Sequence, residues 1–396
     1  MITRGCIRTV LRVAALACLT FPLLLRPITA AAFETDNFFL PLDIELADLG
    51  PVLEMAHTIA LEEAVAEVNT RIEKALQIKD GARRSKRLQA LHEPSALADA
   101  FVKRFGHPLF EDSVVSQSLG GTWARQTYPG RKCSYQNFWM NFAAHVPLDL
   151  RRWTALAQCP TFKAYGVHFG GDKIVHFHHV GIRYYRRYVA LVKKGLSREA
   201  ACARVIEHFR KGGVWSERAL FGSILTGVYS NGDLAANYAG FKFFLNLTER
   251  VNLKGAHREP LVERSGVFWR LNRHVRPGSA WFSVFISDHW NEALNPNDYN
   301  AIVRPSIRCI LRSRAESIVQ FYTRNDKRPD DPVYFANLAH DLSTYYGEPY
   351  GHSGKVETLM TIGNTCIPIV RADAGNGAAP KCHLPIQPVT YPALSK

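Results

Sequence analysis

The sequence predicts a mainly α fold, a multi-helix globular domain with a few short strands and long loops. Three observations predict it. Apolar residues recur at helical spacing in several long stretches, such as Val52, Ile59, Val65, Val68, Ile72 and Leu76. Helix starters and stoppers frame those stretches, as in Asp172 after Gly170-Gly171 and Gly195 at the other end. Strand-like runs are short, and the chain is 47% hydrophobic, which is a globular composition.

In chain order, Arg4, Arg8 and Arg12 precede the apolar run "VAALACLTFPLLL" and then Ala30-Ala31-Ala32. That pattern predicts a signal peptide over 1–32, cleaved after Ala32, and hence an exported protein, periplasmic or secreted. Cys6 and Cys18 precede or lie inside the apolar run, so no lipobox follows it. The segments expected after it are an N-terminal helical segment (33–106), a main helical domain (107–370) and an extended Pro/Gly-rich tail (371–396). No later stretch reaches the length of a membrane span, so no transmembrane segment is expected in the mature chain.

The helices expected are Pro51–Ile78, with proline in the first turn, then 95–105, and, after a long loop at 107–137, 172–193. Next come 198–210, Ser216–Tyr229, and "LAANYAGFKFFLNL" with Asp233 as its cap. Residues 267–270 and 281–287 read as strands. A long helix over Tyr299–Tyr322 and another over Asp331–Tyr346 complete the set.

The net charge is +14, and Arg4, Arg8, Arg12 and Arg26 belong to the leader. A chain starting at 33 therefore keeps about +10 of it. The surplus is scattered over Arg83-Arg84, Lys86-Arg87, Arg186-Arg187 and Lys193-Lys194. It suits anionic envelope components, lipid heads or wall polymers, and equally an ordinary solvated surface; nucleic acid is not an expected partner. Six cysteines follow the leader, which permits disulfides, with Cys133–Cys159 and Cys366–Cys382 the nearest-neighbour pairings. Asn246-Leu247-Thr248 matches the glycosylation sequon. The chain lacks G-x-S-x-G, H-E-x-x-H and the P-loop pattern, which removes the serine-hydrolase elbow, the zincin helix and the nucleotide cradle.

The stretch "GGDKIVHFHHVGIRYYRR" concentrates the chemistry. At 100° per residue, Ile174, Phe177, Gly181, Tyr184, Tyr185 and Tyr188 share one side. Asp172, His176, His179, Arg183 and Arg187 share the other, with His178 on the apolar flank. Three readings stay open: a solvated helix face capped by Asp172; a divalent metal site from His176, His179 and Glu292; or an anion or acid–base site in which a histidine is held by a carboxylate. Further along, Asp233 and Asn237 lie one turn apart, Asp288, His289 and Glu292 follow a strand-like run, and His352 sits in "YYGEPYGHSG". The catalytic candidates are thus His176, Asp172, His179, Arg183, Asp233, His289, Glu292 and His352.

"DKIVH" at 172–176, followed by Phe177, resembles the D-K-x-x-H helix of VanZ-like proteins and of related bacterial envelope proteins. The resemblance spans fewer than ten residues. It implies a polar site at Asp172, Lys173 and His176 and carries no activity with it. Two functions follow as expectations: hydrolysis of an anionic cell-envelope substrate, or non-catalytic envelope binding through a basic docking surface.

Overall fold

The structure, a computed structural model, describes residues 44–105, 126–131, 135–137, 159–211, 228–295, 297–299, 304–325, 360 and 362–376, together with Leu42, Ala301 and Lys327. The expected leader, most of the expected 107–137 loop, residues 216–227 of the expected Ser216–Tyr229 helix, the expected 331–346 helix and His352 lie outside the described residues.

The fold is mainly α. Helix α1 (Gly50–Leu76) carries proline in its first turn and buries Leu53, Ala60, Leu61, Ala64, Val68 and Ile72. The sequence reading passed over α2 (Gly81–His92), treating "KDGARRSK" as a break. Asp80 caps this helix by accepting from the Arg83 amide at 2.9 Å, and its mostly exposed side chains hid it. α3 (Pro94–Val102) continues as a short 3₁₀ turn, Lys103–Phe105, matching the expected 95–105 helix.

A three-stranded antiparallel sheet follows, β1 (Tyr135–Asn137), β2 (Cys159–Ala164) and β3 (Val167–Gly170). The β2–β3 turn needs left-handed backbone at both Tyr165 (φ 50°) and Gly166 (φ 77°). Asp48 fixes it, its carboxylate accepting from both turn amides at 2.7 Å and from the Gly50 amide at the start of α1. Strand β3 feeds directly into the expected 172–193 helix. That rod consists of α4 (Asp172–Val175), a π-helical turn (His176–Val180) and α5 (Gly181–Lys193). Such π turns inside a helix often mark functional sites. α6 (Arg198–Lys211) comes next, as expected.

Helix α7 (Asn231–Asn246) is the centre of the molecule, buried on every side from Asn231 to Phe244. Its cap is Ser230, not Asp233: the Ser230 hydroxyl accepts from the Asp233 amide at 3.0 Å, which frees the Asp233 carboxylate for other work. α7 runs beside the rod in the same direction. Lys173 meets Asp233 at the start, Gly181 meets Gly240 in the middle, and Tyr185 faces Phe244 farther on. The contact at Gly240 is close enough that a Cβ there would lie 1.9 Å from the Phe177 carbonyl oxygen.

Hairpins β5–β6 (Val251–Leu253, Ala256–Arg258) and β7–β8 (Val262–Ser265, Phe268–Leu271) follow, and β8 matches the expected 267–270 strand. The 281–287 stretch, expected as a strand, is instead a 3₁₀ segment over Trp281–Phe285. It follows Ala280, whose left-handed backbone (φ 57°) turns the chain, and packs Trp281, Phe282 and Phe285 inward without a partner strand. β4 (Val228–Tyr229) pairs with β9 (Asp298–Tyr299), so these residues are strand rather than ends of helices. α8 (Arg304–Arg324) supplies the long helix. After a π turn at Ile362–Cys366, α9 (Ile367–Asn376) occupies the start of the region expected to be an extended tail.

One apolar cluster joins α1 and α3 to the sheet, the rod, α7 and the 281–290 segment, and a second surrounds α8 and the 362–367 turn. The first therefore crosses the boundary expected at 106. Phe101, Phe177, Phe243, Phe282 and Phe285 form its aromatic heart, and each such ring contributes about 1.5–3 kcal/mol by burial. No helix among the described residues is long and apolar enough to cross a membrane. Cys202 and Cys366 are thiols, and Cys382, the partner expected for Cys366, lies outside the described residues. Cys133 lies outside the described residues, which leaves the Cys133–Cys159 pairing there too. Asn246, the sequon residue, is 1% exposed, and its amide donates to the carbonyls of Glu249 and Glu259 at 2.9 and 3.0 Å.

Candidate functional site

The polar end of the rod faces inward. Lys173, 0% exposed, places its ammonium against three carboxylates: Asp172 at 2.7 Å, Asp233 at 2.5 Å and Glu292 at 2.7 Å. The ammonium donates hydrogen bonds to Asp172 and Glu292 and forms an ion pair with Asp233. The three acids come from three segments, namely the first residue of α4, the first turn of α7, and the loop after a 3₁₀ turn at Asp288–Trp290. Ser230 joins them, its hydroxyl donating to Glu292 Oε1 at 2.9 Å.

His176 completes the group from one turn along the rod. Its Nε2 lies 3.3 Å from Asp233 Oδ2, and its Nδ1 lies 3.0 Å from Asn237 Oδ1. An amide oxygen accepts, so Nδ1 carries a proton and Nε2 faces the carboxylate across a shared proton position. Asp233 and Asn237 serve the same imidazole because they stand one turn apart on α7.

Electrostatics divide the carboxyls. Burial pushes Asp172 above the ordinary carboxylate range; the nearby Asp233 charge adds to this, while Lys173 opposes it. Burial acts upward on Asp233 too, but the charges of His176 and Lys173 and hydrogen bonds from Lys173 and Asp172 outweigh it and hold Asp233 low. Within this hydrogen-bonded pair Asp172 therefore binds a proton more readily than Asp233.

A second buried pair lies on the other flank of the rod. His57 Nε2 and His178 Nε2 are 2.9 Å apart, and His57 Nδ1 donates to the Leu53 carbonyl at 2.7 Å. His57 Nε2 is then the acceptor and His178 the donor. The His57 ring stacks on Phe282 at 3.7 Å. Burial pulls the His57 pKa down to about 3 and that of His178 well below its ordinary value.

Of the sequence candidates, the structure brings together Asp172, His176, Asp233 and Glu292. His179 is half-buried and Arg183 exposed, farther along the rod. His289 is buried three residues before Glu292, where its Nδ1 meets the Ser287 hydroxyl at 3.0 Å. The oxygens that lie close enough to share an ion belong to Asp172, Asp233 and Glu292, within 4.8 Å of one another, rather than to His176, His179 and Glu292. Such an all-oxygen set suits a hard divalent cation. The Lys173 ammonium already stands among those oxygens, so an ion there would require it to swing away. The sequence reading omitted Ser230 from the site, and it included Lys173 only by resemblance and not among the catalytic candidates. Lys173 was legible only through the D-K-x-x-H pattern, and Ser230 through its place before "NGD".

No family model, curated protein or solved structure matches the chain.

Proposed function

We propose that this chain is an exported hydrolase acting on an anionic cell-envelope substrate, with acid–base chemistry at Asp172, His176 and Asp233. The observation that carries the reading is the split carboxyl pair beside an imidazole held at both nitrogens. Titratable neighbours whose environments push them apart are the arrangement that acid–base catalysis requires. Asp172 holds the proton that a leaving group takes up. Asp233, the anion that His176 orients through Nε2, accepts the proton that an attacking water gives up. Lys173 keeps three acids at one point, and Asn237 sets the imidazole plane. The leader pattern and the basic surplus support export and an anionic substrate.

A second reading, non-catalytic envelope binding or scaffolding, is favoured by the depth of the group. Asp172 is 5% exposed, His176 4% and Glu292 0%. A buried polar network can serve only to specify one packing.

The two readings separate in one experiment. The purified chain is offered nitrophenyl phosphate, a nitrophenyl phosphodiester and an anionic carboxylic ester, alongside His176→Gln and Asp233→Asn. Turnover that both substitutions abolish, with thermal midpoints held or raised, upholds the hydrolase. Inert wild-type protein, combined with lowered midpoints in both variants, sinks it in favour of the scaffold.

A further inference from the structure

A second polar concavity lies at the far end of α7. It encloses about 880 Å³ between the C-terminal residue of that helix, hairpins β5–β6 and β7–β8, and the 3₁₀ segment at Trp281–Phe285. That volume lies within the range of ligand sites. Asp233 and Asn246 are 13 residues apart on one helix, so the cleft stands about 20 Å from the carboxylate cluster.

Its charges are unbalanced. Two acids line it, Glu259 and Glu263, and each is already neutralised: Glu259 by Arg250 at 3.0 Å, Glu263 by Arg270 at 3.0 Å. The other lining cations and imidazoles are Arg258, Arg273, His257 and His274. Arg258 gives its Nε to the Leu253 carbonyl at 3.3 Å and meets no carboxylate among the described residues. Arg273 and His257 are exposed and have no side-chain partner among the described residues. The floor is apolar, formed by Leu261, Leu271 and Trp281, and Trp281 is fixed by its indole N–H donating to Thr58 at 3.0 Å. Guanidinium groups over a rigid concave floor match the planar, multi-oxygen geometry of phosphate and carboxylate.

We infer that this cleft docks an oligomeric oxyanion, a chain bearing repeated phosphate or carboxylate groups, at a distance from the proposed reaction centre. Guanidinium and imidazole donors on hairpin β5–β6 and on the 272–274 turn would grip successive anionic groups. A volume of about 880 Å³ suits a few repeats of a polymer better than a single ion.

Titration calorimetry at physiological salt tests this on the full chain carrying His176→Gln, so that turnover and binding stay separate. The probes are a defined linear polyphosphate and a galacturonate oligomer. Binding of either, weakened about tenfold or more by His257→Glu/Arg273→Glu, upholds the cleft, and the tighter of the two identifies the anion. The control Lys86→Glu/Arg87→Glu changes net charge by more on an exposed face of α2 and should leave affinity within about twofold. Absence of binding for both oligomers overturns the inference, as does equal weakening by the control. Circular dichroism confirms that the variants fold.

Discussion

Lys173 and Glu292, 119 residues apart in the chain, meet at 2.7 Å with both side chains fully shielded from water. The contact ties the rod to the loop after the Asp288–Trp290 turn, and Asp233 ties both to α7. Replacing Lys173 by Met strands three buried carboxyls without their cation. The expected loss is about 3–5 kcal/mol in urea unfolding, since breaking a buried pair costs more than the pair contributes. A Lys173→Met chain as stable as the parent would show that the acids are solvated.

Asp172 gives a pH signature. Its folded pKa is raised, so the stability it contributes is fully present below its ordinary value of 3.8 and is lost as pH rises through the folded value. Asp233 is held low and works in the opposite sense, its contribution fading as pH falls. Asp172→Asn removes the first effect, and its amide can still donate to Asp233. The advantage of this variant in thermal midpoint should therefore grow between pH 4 and pH 8. A constant difference across that range would count against a protonated Asp172.

The His57–His178 pair predicts acid lability of another origin. Both pKa values are depressed, His57 from 6.5 to about 3, so the unfolded chain binds protons first as pH drops. Stability is complete above 6.5 and declines below it, by about 1.4 kcal/mol per pH unit for each histidine within the window. Denaturant midpoints measured from pH 7 to pH 4 should fall, and His57→Gln should flatten the slope. An unaltered slope in that variant would place the acid sensitivity elsewhere.

Gly240→Ala tests the helix crossing. Its methyl group would meet the Phe177 backbone oxygen, which no rotamer can clear. The helices must separate, and a loss above about 3 kcal/mol, with the Asp233 contacts broken, is expected. Gly81→Ala, with open space around it at the start of α2, should be neutral or stabilising by up to about 1 kcal/mol.

Much of the helical frame was legible because periodicity, turn residues and proline agreed, as at Pro51, although Asp172, expected as a cap, is the first residue of α4 after Gly171 and makes no cap hydrogen bond. The wheel for 172–193 left its polar side open between a solvated face and an enclosed site, and Asp172, Lys173 and His176 are buried together with Ile174 and Phe177. Their partners lie sixty and more residues away, and only tertiary packing brings Asp233, Asn237 and Glu292 to them. Farther on, Arg183 and Arg187 do face solvent, so the surface-helix reading holds for the second half of the rod. The 281–287 run misled because aromatic density signals burial without fixing backbone type. Trp281, Phe282 and Phe285 reach the core as well from a 3₁₀ turn. α2 escaped notice for the converse reason: it buries only Leu91, so no apolar stripe announces it.

The amide of Asn246 is spent holding the turns that follow α7, and its side chain has no room for a sugar. Oligosaccharide transfer acts on nascent polypeptide, before such a side chain is enclosed. Production in yeast or mammalian secretory cells would therefore attach a glycan where the finished molecule must close. Such hosts should yield misfolded material unless Thr248 is changed to Ala, whereas a prokaryotic host lacking the transferase avoids the problem.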